Sequence, residues 1–238
     1  MSRAVLLAAG LGLRMRNANG FPKPLTDIMG KPLIYYPLTA LREAGVQETL
    51  IVVGYKGHLV RKRLEALKIP DMRLRFVRAR HFRLGNGGSL ASVTRELTGD
   101  SFLLVMADHV FGPELAERVL KSSPISLGVK MLKDSEKPSE EDTKVLVDDM
   151  GLIRRIGKRI RVANGIDAGV FKCDGRVLDA ARYPLSRKSV TVSCIMNHLL
   201  AKRTGIHAVD VSDLSWLDVD TPRDIPKAVS LLSEYVRR

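Results

Sequence analysis

Cysteine is scarce: the chain has two, Cys173 and Cys194. They form no CxxC pair and fit no zinc spacing, and their apolar neighbours read as core. Aromatic residues make up only 5%. That leaves few stacking platforms for single-stranded nucleic acid, and no RNA-binding module is visible. No apolar run reaches the ~18–20 residues of a membrane span; Ala4–Leu13 comes nearest. The histidines form no HxxxH or HExxH pair, and GxSxG is missing, which excludes a zincin helix and an α/β-hydrolase elbow. Acidic residues are also short: 26 against 39 Lys and Arg, a balance of +13. A field of that sign attracts polyanions, from nucleotides and sugar phosphates to nucleic acid and acidic membranes, without choosing among them.

What is present is ordinary in bulk. At 238 residues, with 45% apolar and 27% charged, the chain is expected to form one domain, residues 1–238, around a sizeable core. The first half alternates strand and helix patterns. Strands are expected at Arg3–Ala9, Thr49–Gly54, Leu74–Val77 and Ser101–Ala107. Helices are expected at Pro32–Ala44, Lys56–Leu67, Gly88–Leu97 and Pro113–Leu120. That order implies parallel strands with right-handed crossovers. The second half reads as strands at Ser126–Leu132, Lys144–Val147, Leu152–Ile156 and Gly169–Lys172. Helices follow at Gly175–Arg182, Val190–Lys202 and Pro222–Val236. The expected class is α/β: a Rossmann-like, mostly parallel sheet flanked by helices, with a small antiparallel extension.

The strongest local signal is Leu6-Leu-Ala-Ala-Gly-Leu-Gly-Leu-Arg-Met15, followed by Pro22-Lys-Pro24. A strand enters a turn of small residues, where Gly10 and Gly12 let backbone N–H groups approach a phosphate chain. Arg14 supplies charge, and Lys23, restrained between two prolines, supplies more. Neither a P-loop nor GxGxxG fits, since Met15 stands where the third glycine would be. The plainer reading is a tight turn with surface cations.

Two acidic segments follow the same logic. Asp108 ends the run Phe-Leu-Leu-Val-Met, and a carboxylate at the carboxyl end of a parallel strand points into the ligand crevice. Asp218 and Asp220 alternate in Trp216-Leu-Asp-Val-Asp-Thr-Pro222 and share a face if extended. Asp108 and Asp218 suit Mg²⁺, with Asp220 joining them or standing behind. The alternative for the second segment is helix capping by Asp220 or Thr221 before Pro222. His109 is open between substrate contact and packing. Asn86 and Ser89, in Gly85-Asn-Gly-Gly-Ser-Leu90, either hydrogen-bond a base or ribose or cap a helix. In the latter case the N–H groups of Gly87 and Gly88 do more than the side chains.

Taken together, LAAGxGxRM, PKP, GNGGSL, the Asp108 strand end and WLDVDT resemble the nucleotidyltransferase superfamily that makes NDP-sugars and related activated alcohols, across essentially the whole chain. The resemblance implies nucleotide contacts from Leu7, Ala8, Ala9, Gly10, Gly12, Asn86, Gly87 and Ser89. It implies catalytic cations at Arg14 and Lys23, and Mg²⁺ on Asp108, Asp218 and Asp220. At finer grain, Asp108-His-Val, Thr143-Lys144, Ile156-Gly-Lys158 and Gly165-Ile-Asp-Ala-Gly169 resemble the CTP:inositol-1-phosphate cytidylyltransferases. Lys158 would then hold the acceptor phosphate, with Lys144 beside it and Asp167 accepting from polyol hydroxyls. Many of those enzymes are fused to a membrane-embedded CDP-alcohol phosphotransferase, so this chain would be a stand-alone, cytoplasmic form functionally linked to a separate enzyme of that kind. Transfer of this type needs no general base, because the acceptor phosphate is already an anionic nucleophile.

Three other readings are weighed. Another sugar 1-phosphate with UTP, dTTP or GTP keeps the same machinery; the molybdenum-cofactor guanylyltransferases begin similarly but match WLDVDT and IGK less well. Nucleic-acid binding rests on charge alone, so no specific nucleic acid is expected. A non-catalytic regulatory subunit ranks low, because Gly10, Gly12, Arg14, Lys23, Asp108 and Asp218 all stand. The arginine-rich stretch Arg73–Arg83 either meets the triphosphate in part or is surface.

Overall fold

The computed structural model describes residues 2–15, 20–97, 101–133, 135–182 and 189–236. In chain order, β1 (Arg3–Ala8) leads through the Gly-rich turn to a hairpin of β2 (Asp27–Ile28) and β3 (Lys31–Pro32). Then come α1 (Tyr35–Glu43), β4 (Glu48–Val53), α2 (Gly57–Leu67), β5 (Arg73–Arg78), α3 (Asn86–Leu90) and β6 (Phe102–Met106). These are followed by β7 (His109–Phe111), α4 (Pro113–Lys121), β8 (Ser126–Met131), β9 (Lys144–Val147), β10 (Ile153–Gly157) and β11 (Gly165–Cys173). The chain ends with α5 (Gly175–Arg182), α6 (Val192–Ala201), β12 (His207–Asp210), β13 (Trp216–Asp218) and α7 (Ile225–Val236).

β5, β4, β1 and β6 pair in parallel, and β11 adds to β6 antiparallel. Beyond β11 lie β9 and β10, and β8 links β11 to β12. This is a Rossmann-like mixed sheet with helices on both faces. β1 shows why Ala4–Ala8 are apolar throughout. Val5 and Leu7 join one buried cluster with α5 and α6, while Ala4, Leu6 and Ala8 join another with α1, α2 and α4. A strand covered on both sides has no solvent face, so it reads as an unbroken apolar run. A third cluster packs α7 through Ala228 and Leu232 against Val110 and Val219, holding the β7–β13 ribbon beside the sheet.

Three local expectations shift. Pro32 does not open α1. Met29 and Gly30, both at positive φ, turn a hairpin that pairs Pro32 with Asp27, and the helix starts at Tyr35. The helix expected over Gly88–Leu97 is five residues of α3 and a 3₁₀ turn at Ala91–Val93, as poor helix formers in Asn-Gly-Gly-Ser predict. Pro222–Asp224 forms a 3₁₀ turn ahead of α7, capped by Thr221 and Asp224 reciprocally.

Candidate active site

Parallel register sets the site. Leu7 pairs with Met106, so the Gly-rich turn after β1 and Asp108 after β6 emerge side by side. Antiparallel pairing of β13 with β7 places Asp218 opposite His109. These segments border a cleft of about 1140 Å³ that also touches Asn86, Lys158 and Asp167. A recess of about 420 Å³ adjoins it, lined by Ala8, Gly12 and Lys23 among others.

Lys23 is the hub. Its Nζ donates to Asp108 Oδ2 and to Asp220 Oδ1, each at 2.6 Å, and lies 3.8 Å from Asp218 Oδ1. Burial works against its charge, but Asp108, Asp218 and Asp220 raise its pKa above the usual lysine value. Burial likewise opposes ionisation of Asp108, yet Lys23 and His109 hold its carboxyl well below the usual range. Asp218 goes the other way: burial pushes it up to about 6, with Asp108 adding to the rise.

His109 Nδ1 lies 3.1 Å from Asp108 Oδ1, and its ring stacks on Trp216 at 6.1 Å. Burial disfavours the imidazolium, but Asp218 and Asp108 outweigh that and raise it to about 9. Gly169 leaves room for the ring: a Cβ there would stand 2.2 Å from it. Asp167 accepts from the Gly169 N–H at 2.7 Å, and burial pushes its carboxyl up to about 6.

Ligand atoms from Asp108, His109 and Asp218 lie within 4.8 Å of one another. Asp218 Oδ1 is buried without a hydrogen-bond partner, the condition a bound cation relieves. The cluster fits a divalent metal, and its two carboxylates suit a hard ion. Asp220, expected among the metal carboxylates, is outside this cluster. Its oxygens are taken by Lys23 and by Arg14, whose Nη2 is 2.5 Å away.

The remaining expected residues divide. Leu7, Ala9, Gly10 and Arg14 border the cleft. So do Asn86 and Ser89, but Asn86 Oδ1 accepts from the Val192 N–H, and Ser89 Oγ donates to the Gly85 carbonyl. Neither side chain caps α3, whose start has no side-chain cap; the Asn86 bond instead meets the first N–H of α6. The Gly87 N–H is spent on the Val190 carbonyl. Lys158 borders the cleft, whereas Lys144 is not among its described lining residues and Thr143 is. Of the described arginines between Arg73 and Arg83, only Arg83 lines it. Sequence reasoning missed Glu141, which accepts from Arg14 Nη1 at 2.8 Å and lies 3.4 Å from Lys158 Nζ. It also missed Lys130, another lining cation. Trp216 opened the WLDVDT motif, and its place against His109 gives that tryptophan a role.

The family described as the MobA-like NTP transferase domain matches residues 4–138, more than half of the chain. The chain belongs to that family. As an NTP transferase it is 32% identical over 240 residues to the "Bifunctional IPC transferase and DIPP synthase" of Aquifex aeolicus, covering 96% of this chain and 51% of that protein. Its counterpart in Rubrobacter xylanophilus is 30% identical over 223 residues, covering 93% and 50%. The chain therefore spans about half the length of these relatives. Among solved structures, the inositol-1-phosphate CTP transferase from T. maritima superposes with a TM-score of 0.83 at 27% identity, covering 98% of this chain and 97% of that one. A UDP-glucose pyrophosphorylase, at 17% identity and a TM-score of 0.81, shares the fold. Among the described residues, no helix of this NTP transferase is long and apolar enough to cross a membrane.

Proposed function

We propose that the chain transfers CMP from CTP to inositol 1-phosphate. An oxygen of the acceptor phosphate attacks the α-phosphorus, the bond from that phosphorus to the β-phosphate bridge oxygen breaks, and CDP-inositol and pyrophosphate leave. The observation that carries this reading is the likeness to the T. maritima inositol-1-phosphate CTP transferase over nearly all of both chains.

In this reading the turn at Leu7–Gly12 follows the phosphate chain, with Arg14 and Lys23 balancing charge as it shifts towards pyrophosphate. Asp108 and Asp218 would hold Mg²⁺, which when bound would supply charge neutralisation for the phosphate oxygens. Lys158 meets the acceptor phosphate, and Asp167 and His109 line the side where polyol hydroxyls lie. The buried Lys23 and the Trp216–His109 stack fix positions, so the protein's contribution is alignment and charge. CDP-inositol is an activated alcohol, which fits a CDP-alcohol phosphotransferase as the next enzyme.

A second reading keeps the chemistry and changes the substrates. Plant mannose-1-phosphate guanylyltransferases, such as that of Arabidopsis thaliana, are 26% identical over 99% of this chain. Pyrophosphate release with Mg²⁺ separates the two, using CTP, UTP, GTP, ATP and dTTP against inositol, glucose and mannose 1-phosphates. Turnover confined to CTP with inositol 1-phosphate is expected. Turnover only with GTP and mannose 1-phosphate would replace the first reading with the second.

A further inference from the structure

A second cavity, of about 1130 Å³, opens at the edge strand β5, away from the Asp108–Asp218 carboxylates. Five arginines line it: Arg75, Arg78, Arg80, Arg95 and Arg182. Among the described residues, the only lining carboxylate is Glu96, which Arg75 already occupies at 2.5 Å. Arg182 donates to the Thr94 carbonyl and lies 3.9 Å from Asp179. Among the described residues, Arg78, Arg80 and Arg95 have no carboxylate partner. Cations gathered around one concavity repel one another and raise its potential, and a bound anion removes that cost.

Edge protection does not account for the arrangement. Charged side chains along β5 would discourage pairing with another strand. Arg95 and Arg182, however, come from the turn after α3 and from the end of α5, and converge on the same cavity. Among the described residues the lining Lys and Arg side chains are all arginines, and the planar guanidinium fork matches phosphate oxygens in pairs. Phe76, Val77 and Phe82 supply an apolar wall. A concave surface suits a compact ligand better than a flat bilayer.

We propose that this cavity is a second phosphate-binding site, taking a compact polyphosphate, free or carried by a nucleotide. It shares Phe82 with the catalytic cleft. A Cβ on Gly54 would stand 2.8 Å from Phe82 Cγ and 2.6 Å from the Ala9 carbonyl, so that ring adjoins the Gly-rich turn. The site does not depend on which substrates the cleft takes.

The test is equilibrium dialysis of inorganic tripolyphosphate against the full chain in EDTA, where no turnover occurs. Arg78→Gln/Arg80→Gln/Arg95→Gln is expected to bind one equivalent fewer than wild type. Lys62→Gln/Arg63→Gln/Lys121→Gln, which removes as many exposed cations elsewhere, is expected to match wild type. Both melt as wild type by circular dichroism. If the arginine triple is destabilised, Arg95→Gln alone must weaken that equivalent at least about tenfold. CTP displacing the equivalent at lower concentration than tripolyphosphate assigns it to a nucleotide; the reverse assigns it to inorganic polyphosphate. Unchanged stoichiometry in the arginine triple, or equal weakening in both triples, overturns the site. So does loss of polyuridylate retention in the arginine triple with tripolyphosphate binding unaffected, which would make the face a nucleic-acid surface.

Discussion

Gly12 and Lys23 interlock: a Cβ on Gly12 would stand 2.6 Å from Lys23 Cβ and 3.3 Å from its backbone nitrogen. Gly12 also sits at φ +57°. The Gly-rich turn and the Pro-Lys-Pro segment thus form one unit, and the glycine fixes where the lysine stands. Gly12→Ala is expected to cost about 1–2 kcal/mol in the left-handed region. It should lower kcat at least about tenfold by displacing Lys23. Gly10 has nothing within 4 Å of its virtual Cβ. Gly10→Ala should therefore melt like wild type and raise KM for the nucleotide, because the added methyl meets the phosphate chain. Thermal melts with steady-state kinetics separate the two; equal effects at both glycines would deny the interlock a role.

Removing the hub cation leaves three carboxylates facing one another. Lys23→Ala is expected to reduce turnover at least about a hundredfold. It should lose about 3 kcal/mol of stability at neutral pH, the cost of breaking a buried pair. Added Mg²⁺ should recover part of that stability, since the ion takes over neutralising Asp108 and Asp218. Urea melts with and without Mg²⁺ check this. Near-normal turnover would remove Lys23 from the chemistry.

The orphaned oxygen of Asp218 gives the metal its own assay. Mg²⁺ is expected to raise the melting temperature of wild type by binding the folded state. In Asp218→Asn that rise should largely vanish, and the Mg²⁺ concentration for half-maximal rate should increase at least about tenfold. A melting temperature in the variant that still climbs with Mg²⁺ as in wild type would place the ion elsewhere.

Features carried by short local patterns were legible in the sequence. The apolar runs of β1 and β6 announced a sheet buried on both faces, and Gly10, Gly12, Lys23, Asp108 and Asp218 stood in recognisable surroundings. What stayed hidden depends on register or on contacts far along the chain. Thr143 borders the cleft and Lys144 does not, because adjacent residues of an extended chain point to opposite sides. Pairing of Asp220 with Arg14 spans 206 positions, and that of Glu141 with Arg14 spans 127. No local pattern marks either. Asp220 was legible as joining the metal carboxylates or standing behind them, and alternation carries no sign of the two cations, Lys23 and Arg14, that its oxygens meet.

Glu141 bridges the two sides of the cleft and occupies cations that phosphates would use. It is 70% exposed, so the bridge is weak and readily exchanged. Glu141→Gln is expected to leave kcat unchanged and to lower KM for the triphosphate or the acceptor by about two- to fivefold. Initial-rate kinetics at fixed Mg²⁺ decide it. A raised KM would instead make Glu141 a substrate contact.

Asp167 allows a test of the site's electrostatics without substrate. Its carboxyl is raised from the ordinary aspartate value to about 6, chiefly by burial. The unfolded chain therefore ionises first as pH rises. The folded state is favoured most below about 4, and loses that advantage between about 4 and 6. Above 6 the folded protein carries a buried charge that it would be more stable without. Asp167→Asn keeps an oxygen to accept from the Gly169 N–H and never ionises. It should be more stable than wild type by on the order of 1 kcal/mol at pH 7.5. The gain should shrink to nothing as pH falls through 6 towards 4. Paired urea melts across that range read the difference directly. A gain that stays constant with pH would mean that the asparagine stabilises by packing, and that Asp167 titrates as an ordinary aspartate.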